Sequence, residues 1–92
     1  MYADPASLDQ RNWLADLILR EGGRNEAVLA LLADSASNKD VDAVVISLCI
    51  QAVASSCLRE ALCKSQRAVL MRPWEVRGWQ TLAHVRSKVF NK

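Results

Sequence analysis

The 92-residue chain is poor in glycine and proline, with three residues of the first and two of the second. Both residue types are frequent at turns, so their scarcity argues against a sandwich or barrel of many short strands. Only five positions are aromatic, whereas alanine, leucine and valine are abundant. The sequence therefore predicts one small domain with an aliphatic core between helices.

Three cysteines, Cys49, Cys57 and Cys63, are an odd number and form no C-x-x-C pair. This pattern argues against a disulfide framework and against a structural zinc site. Each cysteine falls in an apolar helical run, where a free thiol acts as a small hydrophobe. No signal peptide follows Met1, so we expect a reducing, cytoplasmic location.

The longest uncharged run, residues 43–58, has sixteen residues and includes serine and glutamine. A membrane-spanning helix needs about 20 apolar residues, so this run predicts a buried inner helix and no membrane partner.

Catalytic patterns are also lacking. His84 is the single histidine, and Gly22-Gly23 is not followed by the lysine and hydroxyl residue of a phosphate-binding loop. Asp9, Asp16 and Glu21 share one predicted helix, an arrangement more typical of a solvated side than of an acid–base pair. We therefore predict no enzymatic activity, no metal and no cofactor.

Apolar periodicity and helix-breaking residues predict five helices, at about 8–21, 25–34, 42–55, 57–71 and 76–89. The breaks are Pro5 with Ser7, Gly22-Gly23, the polar stretch 34–40 in which Asp40 or Asp42 caps the next helix, Ser55-Ser56 and Arg72-Pro73. The predicted inner side of the first helix carries Trp13, Leu14, Leu17 and Ile18. That of the last helix carries Trp79, Leu82, Ala83 and Val89. No β-type alternation occurs, so the predicted fold is an all-α stack of antiparallel helix pairs.

A leucine followed by a small residue recurs at intervals of 34 residues, as Leu14-Ala15, Leu48-Cys49 and Leu82-Ala83. Ala27 and Ala61 have the same spacing, and Pro73 follows Pro5 at twice that interval. This period predicts a single domain, residues 1–92, with repeats at 8–41 and 42–75 and a terminal helix at 76–92. Residues 1–7 read as the tail of a preceding repeat.

The segment Trp79-x2-Leu82-Ala83 matches the opening of the W-x2-L-G-x2-Y pattern, and Ala61, Ala68 and Pro73 match its second half. The chain thus resembles a tetratricopeptide repeat (TPR) protein. It departs from the family pattern at Arg11, Val45, Asp34, Ser65 and Lys39. The resemblance implies a fragment of an α-solenoid that serves as a protein–protein interaction scaffold or adaptor. The stretch RPWEVRGWQTLA is similar to TPR scaffolds of RNA-decay assemblies such as the superkiller complex.

In TPR arrays the first helix of each pair lines a concave surface that holds a partner peptide or domain. Carried over to this sequence, the surface consists of Asp9, Asn12, Asp16, Leu19, Ala43, Ile46, Ile50, Val53, Arg77, Gln80, His84 and Ser87. Its middle is apolar, with an acidic and a basic flank. Alternatively, Ile46, Ile50 and Val53 pack against neighbouring repeats or another copy of the chain. A chaperone-type carboxylate clamp is not expected, because Asn12 and Asp16 stand where lysine and asparagine are required.

A rival interpretation is RNA binding by a basic C-terminal face comprising Arg59, Lys64, Arg67, Arg72, Arg77, Arg86 and Lys88. It predicts an affinity that falls steeply with salt, unlike that of an apolar peptide groove. Self-association of the helical domain is a third possibility.

Overall fold

The computed structural model describes residues 7–90, and within them every regular element is helical. The elements are α1 Leu8–Arg20, α2 Asn25–Leu31, a single 3₁₀ turn Ser35–Ser37, α3 Val41–Ala54, α4 Leu58–Met71 and α5 Val76–Phe90. No strand occurs in this range, so the prediction of an all-α fold with five packed helices is confirmed. The predictions for Pro5, for a repeat tail before Ser7 and for the last two residues lie outside the described part.

Local signals set most helix ends where the sequence predicts them. Gly22 follows α1 with φ +75°, a left-handed conformation that glycine adopts without a Cβ penalty. Asp40 caps α3, because its carboxylate accepts a hydrogen bond from the Ala43 backbone N–H at 3.3 Å. Helix α4 ends two residues before Pro73. No helix in the described range has the length and apolar character needed to cross a membrane.

Helix α2 is shorter than predicted, because it stops at Leu31 instead of continuing to residue 34. The Arg11 guanidinium of α1 donates a hydrogen bond to the Leu31 carbonyl at 3.3 Å and pairs with the Asp34 carboxylate. A cation at the helix C-terminus satisfies a carbonyl that has no partner within the helix. Arg11 and Asp34 both depart from the TPR pattern, and here they bind each other.

The five helices form two layers. Helices α1, α3 and α5 lie side by side in that order, while α2 packs against α1 and α3, and α4 packs against α3 and α5. The body measures 48 × 29 × 19 Å along its principal axes. Helix α3 lies at the centre, and most of its side chains are buried. The sixteen-residue uncharged run is therefore an inner helix, as its composition predicts.

At α1 the predicted inner side is partly wrong. Trp13 is 68% exposed and Leu14 41% exposed, whereas Leu8, Asn12 and Ala15 are buried. The reason is that α1 has helical neighbours on one side of the stack only. Its covered side faces α2 and α3, and the opposite side meets nothing in the described chain.

In helix α5, too, the buried side differs from the predicted inner side. Gly78, Thr81 and Val85 are buried against α3 and α4, while Trp79 is 51% exposed and Ala83 is exposed. The prediction of Trp79 and Ala83 as inner residues is therefore wrong. A Cβ on Gly78 would lie 3.5 Å from Val69 of α4, so the missing side chain permits a close helix approach.

The small residues of the 34-residue pattern divide in the same way. Ala15, Cys49 and Ala61 are at most 2% exposed, as expected for small residues between packed helices. Ala27 and Ala83 are exposed and therefore do not lie between helices. Cys57 and Cys63 are also exposed, contrary to the prediction that all three cysteines act as buried hydrophobes.

Leu48 lies inside the stack, at a site whose surroundings recur in part around Leu14 and Leu82. It lines a cavity of about 300 Å³ between the segment that follows α2 and the side of α4. The first wall contains Ala33, Ser35 and Ala36, and the second contains Glu60, Cys63, Lys64 and Arg67.

Leu82 and Leu14 occupy incomplete versions of this site. Leu82 lies beside Gln66, Val69 and Leu70 of α4, which form only the preceding wall. Leu14 lies beside Leu31 of α2, which belongs only to the following wall. Positions 69 and 70 stand 34 residues after 35 and 36, so the surroundings of these leucines repeat with the period found in the sequence.

Candidate partner-binding face

The predicted partner-binding residues come from α1, α3 and α5, the helices of one layer. Two of them are buried. Asn12 is 4% exposed and donates from Nδ2 to the Ala43 carbonyl at 3.0 Å, which ties α1 to α3. Its Oδ1 has no hydrogen-bond partner in the described chain. Ile50 is 1% exposed and belongs to the main core, as the alternative of packing within the stack predicts. Both residues therefore stabilise the packing between helices and are not available to a partner.

Asp16 and Arg77 form an ion pair across the layer. The Arg77 Nη2 lies 3.0 Å from Oδ1 and 3.3 Å from Oδ2 of Asp16, although 61 positions separate the two residues. The side chains are 32% and 40% exposed, so solvent screens the pair, which is worth about 1 kcal/mol or less. The acidic and basic flanks expected from the sequence thus neutralise each other at this point.

The remaining predicted residues lie at or near the surface. Val53 is 38% exposed, Leu19 and Ile46 are half-buried, and Gln80 and His84 are exposed. We use the term first-helix face for the surface made of the seven residues Asp16, Leu19, Ile46, Val53, Arg77, Gln80 and His84. It combines apolar side chains from α1 and α3 with polar side chains from α5, around one internal ion pair.

Among the described residues, no group of three or more histidine, cysteine or acidic side chains is arranged to hold a metal ion. Burial raises the pKa of the Cys49 thiol, a change that disfavours the reactive thiolate. The hydrogen bond and charge of the Arg11 guanidinium lower the pKa of Asp34. The Cys49 side chain packs in the main core, and the Asp34 carboxylate pairs with the arginine that binds the end of α2.

Basic residues of the C-terminal half are partly engaged within the molecule. Arg72 lies 3.0 Å from the Asp42 carboxylate and 5.3 Å from the Trp74 ring centroid, which makes an ion pair and a cation–π contact. Lys64 donates to Gln51 Oε1 at 2.9 Å. With Arg77 bound to Asp16, three members of the proposed basic face have internal partners.

Two sets of exposed apolar side chains were not predicted from the sequence. One comprises Trp13 and Leu14 on α1, and the other comprises Leu70, Trp74, Val76 and Trp79 around the α4–α5 connection. Trp79 donates from Nε1 to the Pro73 carbonyl at 2.6 Å, so its indole is held outward. Amphipathic periodicity placed Trp13 and Trp79 on inner faces, because periodicity does not reveal whether a neighbouring helix is present.

Comparisons of this chain with protein-family models, with curated proteins and with solved structures found no match. The fold and site therefore rest on the residues and contacts described above, and the resemblance to TPR proteins stays a prediction.

Proposed function

We propose that this domain is a protein–protein interaction scaffold or adaptor module of TPR-like repeats, which binds a peptide or domain of a partner along the first-helix face. The observation that carries the proposal is a set of partly exposed apolar side chains on this layer, Leu19, Ile46 and Val53, which we call the apolar strip. The same layer carries exposed Gln80 and His84. These side chains stand on α1, α3 and α5, and α3 packs against both of the others, so a partner meets a preformed surface.

An amphipathic helix or extended segment is the partner form that suits such a surface. Apolar anchors would cover the strip, and polar groups of the partner would reach the α5 side. The recurring surroundings of Leu14, Leu48 and Leu82 support the repeat interpretation. Surface thiols at Cys57 and Cys63 favour a reducing location such as the cytoplasm. A role in RNA decay rests on the stretch RPWEVRGWQTLA alone and stays a prediction.

The proposal can be tested with displayed helical peptides selected on the purified domain. We expect backbone amide shifts caused by a selected peptide to cluster around Leu19, Ile46, Val53, Gln80 and His84. Val53→Arg should weaken binding at least tenfold, because a charge would occupy the apolar strip. Ala27→Arg, at an exposed site on the other layer, is the matched control and should bind normally. Shifts confined to α4, or equal binding by both variants, would refute this placement.

The RNA alternative makes a separate prediction about salt. Phosphate contacts through the basic face would release counterions, so affinity for a labelled single strand would fall steeply between two salt concentrations. Because Lys64, Arg72 and Arg77 have internal partners, we favour the protein partner. Peptide binding on the apolar strip should change little over the same salt range.

A further inference from the structure

The cavity lined by Leu48, between the α2–α3 connection and α4, has a buried and partly polar floor. Ser35, Leu48 and Gln51 form this floor, and each is at most 5% exposed. The rim consists of residues that are exposed or half-buried, namely Ala33, Ala36, Glu60, Cys63, Lys64 and Arg67. None of these residues belongs to the first-helix face. The volume of about 300 Å³ is at the lower end of that of small-molecule sites, so a ligand here would be small.

The hydrogen bonds at the floor all run in one direction, from Lys64 towards two serines. A lysine ammonium can only donate, so the Gln51 Oε1 atom, 2.9 Å from Lys64 Nζ, accepts. The Nε2 atom of Gln51 therefore faces the hydroxyls of Ser35 and Ser47, at 2.8 and 2.9 Å, and donates to both. Ser35 accepts in this arrangement, and its own O–H proton has no acceptor within residues 7–90. The cavity thus contains an unused hydroxyl donor and an ammonium group with donor capacity left.

The charges around the cavity do not cancel. Lys64 and Arg67 contribute two positive charges and Glu60 one negative charge, while the other lining residues are neutral. None of these three side chains forms an ion pair within the described range. Lys64 bonds to a neutral amide instead, although it is half-buried. A ligand with a single negative charge would balance the site, because a charge shielded from water is stabilised by an opposite charge.

The kind of anion follows from this charge and from the apolar part of the lining. A phosphate monoester carries a charge of about −1.5 to −2 at neutral pH, which is more than the site needs, whereas a carboxylate carries one. Leu48, Ala33 and Ala36 offer apolar surface in the same cavity. Burial of an aliphatic chain against this surface is favourable.

We propose that the cavity between the α2–α3 connection and α4 binds a small aliphatic monocarboxylate. The carboxylate accepts from the free donors of Lys64, Ser35 and Arg67, and the hydrocarbon chain lies against Leu48. Because the ligand contacts both α4 and the α2–α3 connection, it also stabilises their packing. The cavity shares no residue with the first-helix face, so this ligand and a partner peptide would not compete.

Cys63 provides a reporter for the cavity, and Cys57 provides its internal control. Both thiols are exposed, but only Cys63 lines the cavity. Alkylation of each thiol by the neutral reagent iodoacetamide is followed by mass spectrometry, with the ionic strength held constant by sodium chloride. We expect saturating hexanoate to slow the alkylation of Cys63 roughly threefold or more and to leave Cys57 unchanged. The neutral analogue hexanamide should protect neither thiol.

Substitutions on α4 test the role of charge, and the rates with and without hexanoate are compared within each variant. Lys64→Met should abolish the protection of Cys63, because it removes the ammonium group from the cavity. Arg59→Met removes a positive charge from the same helix outside the cavity, so it is the matched control and should leave the protection intact. Arg67→Met lies at an exposed position, where it leaves the core undisturbed, and should weaken the protection as well.

Several outcomes would overturn the proposal. They are an absence of Cys63 protection by hexanoate, equal protection by hexanamide, and protection that survives both Lys64→Met and Arg67→Met. Inorganic phosphate that protects Cys63 as well as hexanoate does would assign the cavity to phosphate groups and would also overturn it. Equal slowing at Cys57 and Cys63 would show that hexanoate acts outside the cavity.

Discussion

Helices α2 and α4 both pack against two helices of the layer formed by α1, α3 and α5, but they bury different side chains there. Helix α2 has seven residues and buries Val28, with Leu32 buried at its C-terminal end. Helix α4 has fourteen residues and buries Ala61 and Ser65 at the same four-residue interval. At this interval the short helix buries bulky side chains, whereas the long helix buries small ones and adds Val69 one turn further on. Two helices that pack in a similar way on the same layer therefore need not bury similar residues.

The same comparison corrects the predicted alignment of these two helices. The 34-residue period pairs Ala27 with Ala61, but Ala27 is exposed and Ala61 is 2% exposed. The buried pairs are Val28 with Ala61 and Leu32 with Ser65, one position closer. The connection between α1 and α2, residues 21–24, is one residue longer than that between α3 and α4, residues 55–57, and this accounts for the one-residue difference.

Among the substitutions that compare α2 with α4, Leu32→Ala is expected to lower the free energy of unfolding the most. Leu32 is 0% exposed, and its truncation should leave a cavity that lowers the free energy of unfolding by about 2–5 kcal/mol. Urea unfolding followed by circular dichroism measures this loss. Leu70→Ala is the matched control, because Leu70 is 79% exposed and should cost little. Equal losses for the two variants would show that Leu32 is not a core residue.

The reverse exchange, Ser65→Leu, should overpack the contact between α4 and its neighbours. Ser65 is 0% exposed and its hydroxyl donates a hydrogen bond to the Leu62 carbonyl at 3.0 Å, so the two additional heavy atoms of leucine have no free space. We expect a loss of about 1–3 kcal/mol in the free energy of unfolding. Gln66→Leu, at the next and exposed position, should be nearly neutral. A more stable Ser65→Leu protein would mean that α4 has room for the large residues of α2.

A smaller loss is expected from Gln51→Ala, which removes the centre of a buried polar network. Gln51 Nε2 lies 2.8 Å from the Ser35 hydroxyl and 2.9 Å from the Ser47 hydroxyl, and Oε1 accepts from Lys64. Truncation leaves buried hydroxyls without a partner, at a cost of about 1–2 kcal/mol. Lys64→Met, which removes one bond to a half-buried amine, should cost less. If Lys64→Met were the more damaging change, the network would be centred on the lysine instead.

The smallest effect concerns the Arg11–Asp34 pair at the end of α2. Because Arg11 lowers the folded-state pKa of Asp34, the pair stabilises the protein above the ordinary carboxyl pKa, about 4. That contribution disappears as the pH falls through the lowered folded-state pKa. Asp34→Asn should therefore lower the melting temperature slightly at pH 7, and the difference from the unmodified chain should vanish in strong acid. A difference that persisted at low pH would contradict an ionic origin.

The sequence predicted local features well and neighbour-dependent features poorly. Gly22, Asp40 and Pro73 act on their own backbone or on the next turn, so the helix ends they set were predictable. The exposure of Trp13 and Trp79 depends on which helices surround α1 and α5, and amphipathic periodicity carries no such information. The burial of Asn12 was missed for the same reason, because α3 covers that side of α1. The burial of Ile50 was predicted only as the alternative to a partner-binding role.

The central claim is that Leu14, Leu48 and Leu82 occupy one kind of site with different numbers of walls. Replacing each by alanine and measuring the free energy of unfolding tests it directly. Leu48, with both walls present, should lose about 2–4 kcal/mol, Leu82 about 1–2 and Leu14 less than about 1. Equal losses at the three positions, or the largest loss at Leu14, would contradict the stack described here.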